Sequence, residues 1–252
     1  GDLGCPALVL WFSFEFAAVR GLRNPIWWQT TVASAGNLTS AVYRIFGKPF
    51  SEEGKKLFGV PFAQFLKLNS EFRYHYRIDK NQMIASRIAG GVIWSYGNAT
   101  TAPYTEQFYI GGANSVRAFS ARSIGPGGYP PETDRKYTYI NHVGDIRIEA
   151  NIEYRFRMIA DLHGAVFLDA GNVWLMRKDE NRPNGEFTLK NFPKQIALGT
   201  GFGLRYDLDF LVFRLDLGIG LHDPYDTGKS GYYNIPKFKD SMALHFAIGY
   251  PF

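Results

Sequence analysis

The sequence has 252 residues, of which 46% are hydrophobic and 16% aromatic, so the chain has enough apolar surface to fold. Its formal net charge is +5, but acidic and basic residues are interspersed, so no basic block favours nucleic-acid binding. A membrane-spanning helix needs roughly 18 uninterrupted apolar residues, and the longest candidate, 7–19, is broken by Ser13 and Glu15. The 21 Phe, 15 Tyr and 27 Gly residues instead favour strands and tight turns, and predict an all-β chain.

Apolar and polar residues alternate along much of the chain. Successive side chains of a strand point to opposite faces, so a period of two indicates a sheet whose faces meet different environments. The clearest segment runs to residue 157, where Ile148 and Ile152 share one face and Glu149 and Glu153 share the other. Nine such segments are predicted, in chain order, at 8–18, 26–36, 62–78, 82–95, 140–157, 162–174, 195–208, 211–221 and 241–252.

Two architectures fit this alternation. In a water-soluble β-sandwich or small barrel the apolar faces would point inward to a dry core. In a transmembrane β-barrel they would face lipid, and the polar faces would line an aqueous interior. Most segments reach the roughly 9–11 residues that a tilted strand needs to cross a bilayer. Short turns such as the one at Asp207 alternate with long connections at 96–139 and 222–240, which favours the antiparallel transmembrane barrel.

The connection at 96–139 is too long for a passive link in a compact domain. Its glycine-rich middle carries a cation next to an aromatic residue, in the order Val116, Arg117, Ala118 and Phe119. In the second predicted strand after this loop, three residues of one parity lie on the polar face: Phe167, Asp169 and Gly171.

In order and spacing, these two motifs resemble those of the Omp85 superfamily, in particular the BamA/TamA-like bacterial surface antigen domains of Bacteroidetes. In that family a Val-Arg-Gly-Phe/Tyr motif lies at the tip of a loop that folds back into the barrel. Ala118 stands where the family has glycine, a change that removes backbone freedom. The resemblance implies that Arg117 pairs with Asp169 inside the barrel.

The end of the sequence resembles the closing strand of such barrels, predicted here at 241–252. Its terminal aromatic signal would comprise Phe246, Ile248, Gly249, Tyr250 and Phe252. The family's barrel has sixteen strands, so residues 1–252 are expected to form the C-terminal portion of one barrel domain. A fragment, the ordered remainder of a longer chain, and two copies that complete one barrel all remain open.

The resemblance implies an integral protein of the bacterial outer membrane that inserts or exports client proteins through the seam between the first and last strands. Its expected partners are outer-membrane lipid, nascent outer-membrane or secreted proteins, and accessory assembly subunits. A passive porin is one alternative. An outer-membrane hydrolase is the other, for which Ser241 near His245 is the one hint.

No catalytic motif, cofactor or metal site is predicted. A single cysteine, Cys5, offers no second thiol for a metal, and the histidines are scattered along the chain: His75, His142, His163, His222 and His245.

Overall fold

The computed structural model describes residues 9–20, 24–49, 54–57, 60–130, 141–208 and 210–252. Cys5 and positions 131–139 of the predicted loop lie outside these residues. Within them, no helix is long and apolar enough to cross a membrane.

In the described part of the chain, nine long strands form one antiparallel sheet, and they are ordered in space as they are along the chain. This confirms the all-β prediction and the expected number of strands. The strands are β1 (Val9–Arg20), β2 (Asn24–Ala35), β5 (Phe65–Arg77), β6 (Gln82–Ser95), β7 (Ile146–Ile159), β8 (Leu162–Trp174), β9 (Ala197–Asp207), β10 (Val212–His222) and β11 (Met242–Ile248).

Smaller elements lie in the connections. Helix α1 (Asn37–Ile45) follows β2, and a short hairpin of β3 (Lys56–Leu57) and β4 (Val60–Pro61) precedes β5. Two 3-10 helices, Phe192–Gln195 and Phe238–Ser241, precede β9 and β11. None of these was predicted, because they are short and follow neither a strand period nor a long helical one.

The predicted closing strand at 241–252 was too long at both ends. Ser241 belongs to a 3-10 helix, and β11 ends at Ile248. Gly249 has a φ of 83°, which takes the backbone out of the extended conformation. The predicted strand at 140–157 also starts too early, because β7 begins at Ile146 and Gly144 instead forms an isolated bridge with Phe108 of the long loop.

The two faces of the sheet have inverted polarity compared with a water-soluble protein. One face exposes large apolar side chains on every long strand, such as Phe12, Ile88 and Phe202. The opposite face buries charged side chains, among them Glu153 and Arg205. A β-sandwich would bury its apolar faces against each other, so this arrangement favours a barrel wall with lipid outside and a polar interior.

The two ends of the sheet differ in the length of their connections. The connections at one end are short and span 78–81, 160–161 and 208–211. The connections at the other end, which we call the loop side, are long and span 36–64, 96–145, 175–196 and 223–241. Within the described residues, β1 and β11 each pair with one neighbour and form the two edges of the sheet. The long loop at 96–145 packs on the polar face, which places its tip beside the buried charges.

Candidate functional site

The tip of the long loop is buried against the polar face of the sheet. Val116 is fully buried in an apolar cluster with Ile110, Ile124 and Val173. Arg117 follows it and is also fully buried, while Phe119 is half-buried at the edge of the same cluster. Apolar packing therefore fixes the backbone of the tip and directs the charged side chain toward the strands.

Arg117 makes a two-pronged ion pair with Asp169 of β8. Its Nε donates to Oδ2 at 2.8 Å and its Nη2 donates to Oδ1 at 2.9 Å. The backbone N–H of Arg117 also donates to Oδ2 at 3.1 Å, so one carboxylate binds both the side chain and the main chain of the tip. Both side chains are fully buried, and bidentate guanidinium–carboxylate pairs are among the strongest and most directional that side chains form.

Two further residues complete the binding site of the guanidinium. The ring of Phe167 lies 3.6 Å from the guanidinium carbon, which is close cation–π contact. Glu153 of β7 accepts a hydrogen bond from Nη1 of Arg117 and is fully buried as well. The sequence predicted the position of Glu153 on the polar face, but it did not single Glu153 out among the charged residues of that strand.

The Arg117 pair belongs to a larger buried ionic network. Glu153 also binds Nε of Arg155 at 2.6 Å and Nη2 of Arg205 at 3.1 Å. Arg205 in turn pairs with Asp216, whose second oxygen lies 3.8 Å from Arg117. The network therefore joins β7, β8, β9 and β10 through the loop tip, and removal of one carboxylate leaves several cations close together.

Glycines on β9 and β10 let the loop backbone approach the sheet. A Cβ atom at Gly218 would lie 2.1 Å from the carbonyl oxygen of Arg117, and one at Gly199 would lie 2.2 Å from the Cβ of Ala118. Ala118 does not belong to the residues with positive φ, so the methyl group that replaces the family's glycine is accommodated without backbone strain. Gly199, which has no side chain, leaves the space that the methyl group of Ala118 occupies.

Neighbouring residues of the loop bind other strands. Nη1 of Arg87 on β6 donates to the carbonyl of Asn114 at 2.8 Å, and Nδ2 of Asn151 on β7 donates to the carbonyl of Ser115 at 3.0 Å. The ring Nε2 of His245 on β11 lies 2.9 Å from the carbonyl oxygen of Arg117. The tip thus contacts the wall of the sheet and also its last strand.

The remaining predicted residues fall into three different environments. Gly171 lies beside Ile110 of the loop, where an added Cβ atom would be 3.2 Å from the Ile110 side chain. Phe246 and Ile248 are exposed on the apolar face of β11. Phe252 instead turns to the polar side, where it is buried and its carbonyl accepts a hydrogen bond from Arg155 at 3.2 Å.

Gly249 and Tyr250 connect these environments. The positive φ of Gly249 redirects the chain, and the ring of Tyr250 then lies 4.6 Å from the guanidinium carbon of Arg155. The predicted terminal set is therefore divided between the two faces.

The hint of a hydrolytic pair gains no support from the geometry. The hydroxyl of Ser241 donates to the carbonyl of Phe238 at 2.6 Å, and the imidazole of His245 contacts the loop tip. Among the residues that the structure describes, no group of three or more His, Cys, Asp or Glu side chains is arranged to hold a metal ion.

Comparison with known proteins gives concordant results. The model of the Omp85 superfamily domain matches residues 56–252. The outer membrane protein assembly factor BamA of Nitratidesulfovibrio vulgaris is 28% identical over 204 residues, which cover 79% of this chain and 22% of that protein. The chain thus spans less than a quarter of that relative's length.

A solved structure with a TM-score above 0.5 shows the same fold. The crystal structure of BamA from Haemophilus ducreyi lacking POTRA domains 1–3 has 14% sequence identity and a TM-score of 0.51, over 96% of this chain and 54% of that one. CdiB from Acinetobacter baumannii matches with 13% identity and a TM-score of 0.39, over 95% of this chain and 41% of that one. The family match contains both motifs of the Arg117 site, and the chain belongs to the Omp85 superfamily of integral outer-membrane β-barrel proteins.

Proposed function

We propose that the protein assembles or translocates other proteins at the outer membrane, and that its clients enter through a seam at the closing strand β11. The relative from Nitratidesulfovibrio vulgaris bears the name of an outer membrane protein assembly factor, which supports this general role. The observation that carries the proposal is the position of Arg117. Its side chain binds β7 and β8, while its carbonyl oxygen contacts His245 of β11, so one loop tip joins the barrel wall to the edge strand.

The chemistry of β11 suits a seam. Seven residues of this strand pair with β10, and within the described residues its other edge has no strand partner. Such an edge presents backbone N–H and C=O groups that can pair with an incoming strand. A nascent outer-membrane or secreted protein that supplies a strand would extend the sheet there. Lipid would contact the apolar face, and accessory assembly subunits are further expected partners.

The buried ionic network supports a role for the loop tip as a fixed support of that edge. Breaking a buried pair by removing one partner typically costs about 3–5 kcal/mol. Once docked, the tip therefore holds the carbonyl of Arg117 in one place, and through it His245. A passive pore would require no such bridge between the wall and the last strand.

A charge exchange in the full-length protein tests the proposal. In proteoliposomes that receive an unfolded β-barrel client, Arg117→Glu should strongly reduce client insertion, because the new carboxylate faces Asp169 and Glu153. Adding Asp169→Arg should restore part of the activity, since one opposite-charge pair is rebuilt. Arg182→Glu is the matched control, because Arg182 pairs with Asp179 in a partly exposed loop.

Three outcomes would contradict the proposal. Equal damage in the single and double variants would argue against a direct role of the pair. Passage of small solutes without client insertion by the wild-type protein would favour a passive porin. Ester or peptide cleavage would favour an enzyme.

A further inference from the structure

Helix α1 turns its polar side toward the protein. Nδ2 of Asn37 donates to the hydroxyl of Ser34 at 2.6 Å, and the hydroxyl of Tyr96 donates to Oδ1 of Asn37 at 2.8 Å. One turn later the hydroxyl of Ser40, which is fully buried, donates to Oε1 of Gln64 at 3.0 Å. Hydrogen bonds between polar side chains therefore attach this helix to the protein.

The attachment points lie on the apolar, lipid-facing side of the sheet. Ser34 stands in one row across the strands with three exposed apolar side chains, which are Leu10, Leu66 and Trp94. The pairing of β5 and β6 continues by one residue beyond each strand, because the N–H of Tyr96 donates to the carbonyl of Gln64. Side chains two residues apart share a face, so Gln64 and Tyr96 point to the same side as Leu66 and Trp94. The helix thus covers the outer face at the loop-side end of β2, β5 and β6.

The opposite side of α1 is an exposed apolar stripe. It consists of residues at positions i, i+4, i+7 and i+8, which share one face of a helix: Leu38, Val42, Ile45 and Phe46. Ile45 and Phe46 are 82% and 80% exposed. A helix on a water-soluble surface buries such a stripe and exposes its polar side, and α1 does the reverse. This inverted arrangement is stable where the medium around the helix is itself apolar.

Two cations lie at the C-terminal end of α1. Arg44 lies in the last turn of α1, and Lys48 follows the helix with its ammonium 5.8 Å from the ring of Tyr43. Both side chains are exposed. Basic residues beside an apolar helical face are typical of helices that lie in the plane of a membrane and contact its phosphate groups. Trp94, in the row directly below the helix, is the kind of residue found at the boundary between lipid and water.

We propose that α1 is an interfacial anchor that lies flat in the membrane leaflet on the loop side of the barrel. The apolar stripe enters the acyl chains of that leaflet, and Arg44 and Lys48 contact the phosphates of its lipid headgroups. The polar side of the helix is held on the barrel by Asn37 and Ser40. The occupant of the exposed face is therefore lipid, continuous with the lipid that surrounds the strands.

Fluorescence in vesicles tests this position directly. In the full-length protein, with native cysteines such as Cys5 replaced by serine, Phe46→Cys carries an environment-sensitive label. The protein is reconstituted in phosphatidylcholine–phosphatidylglycerol vesicles that contain a lipid with a shallow nitroxide. Leu189→Cys is the matched control, because Leu189 is 83% exposed, as much as Ile45, but lies in the loop between β8 and β9.

The label at position 46 should show blue-shifted emission, with several-fold stronger quenching by the nitroxide lipid than by aqueous iodide. The label at 189 should show the opposite preference, and Ile45→Cys should repeat the result for position 46. Stronger quenching by iodide at 46 would overturn the proposal, since the stripe would then face water. Shielding from both quenchers would overturn it as well, because protein rather than lipid would cover the stripe.

A second arm tests the headgroup contact. The emission of the label at 46 should shift further to the blue when phosphatidylglycerol is present than in phosphatidylcholine alone. In the Arg44→Gln/Lys48→Gln double variant this difference should disappear. An unchanged difference in the double variant would refute the assignment of these two cations to lipid phosphate.

Discussion

Replacing Asp169 with asparagine removes the charge that binds the loop tip while it preserves the shape of the side chain. In the wild-type protein this carboxylate accepts two hydrogen bonds from the Arg117 guanidinium, one from the Arg117 N–H and one from Asn151. Loss of one partner from a buried ion pair costs about 3–5 kcal/mol. Because Glu153 still binds the guanidinium, we expect the lower end of this range, about 3 kcal/mol.

Hydrogen exchange in proteoliposomes measures this loss where it occurs. Each 1.4 kcal/mol is about tenfold in an equilibrium constant, so 3 kcal/mol predicts roughly hundredfold faster exchange of protected amides in peptides covering 112–119. Asp179→Asn is the matched control. Its pair with Arg182 has the same N–O distance of 2.8 Å, but the two side chains are 27% and 15% exposed. Such a pair contributes about 0–1 kcal/mol, so exchange near it should change less than about fivefold.

The Arg117→Gln and Asp169→Asn variants, alone and together, separate a direct pair from a general loss of structure. In a direct pair, the double variant should lose little more than the more damaged single variant. Additive losses, or faster exchange spread evenly over all strands, would refute the assignment of this pair as the support of the loop.

The remaining predictions concern the approach of the loop backbone and its contact with the last strand. Gly218→Ala should displace the tip, because the new Cβ would lie 2.1 Å from the carbonyl of Arg117, whereas Gly90→Ala meets its nearest atom at 3.8 Å and should leave exchange at the tip unchanged. Equal effects of the two variants on exchange would contradict the close approach. His245→Phe removes one hydrogen bond, worth about 0.5–1.5 kcal/mol, so exchange in β11 should rise about two- to tenfold while exchange in β8 stays constant. A change confined to β8 would show that His245 does not link the tip to the last strand.

The strands were predictable because each lies between two media. Lipid on one side and a polar interior on the other impose an alternation of apolar and polar residues. This alternation is visible in the sequence of each strand, even when its partner strands are not known. The predictions for 82–95 and 162–174 coincide with β6 and β8, and most other strand ends differ by a few residues. The register across strands, which brings Ser34 level with Leu66, is set by pairing and is not visible in one strand's sequence.

Helix α1 was not predicted, because the contacts that position it join residues that are distant in sequence. Its sequence is amphipathic, but over nine residues the pattern does not distinguish a helix that buries its apolar stripe from one that exposes it. The deciding contacts are side-chain hydrogen bonds from Ser40 and Asn37 to residues distant in sequence. Alternation likewise assigned Glu153 to the polar face without indicating that the loop tip reaches it, because the path of a long loop is determined by packing.

The polar face of the sheet also explains why the alanine at position 118 is tolerated. Carboxylates on β7 and β8 bind the side chain of Arg117, whereas glycines on β9 and β10 leave room for its backbone. Contact with β11 is made by the carbonyl oxygen of Arg117, an atom that every residue type provides. The link to the closing strand therefore depends on the space at Gly199 and Gly218 rather than on backbone freedom at position 118. A larger side chain at 118 would collide with β9 before it strained the loop, so its effect should be reduced by changes on β9 and not by glycine elsewhere in the loop.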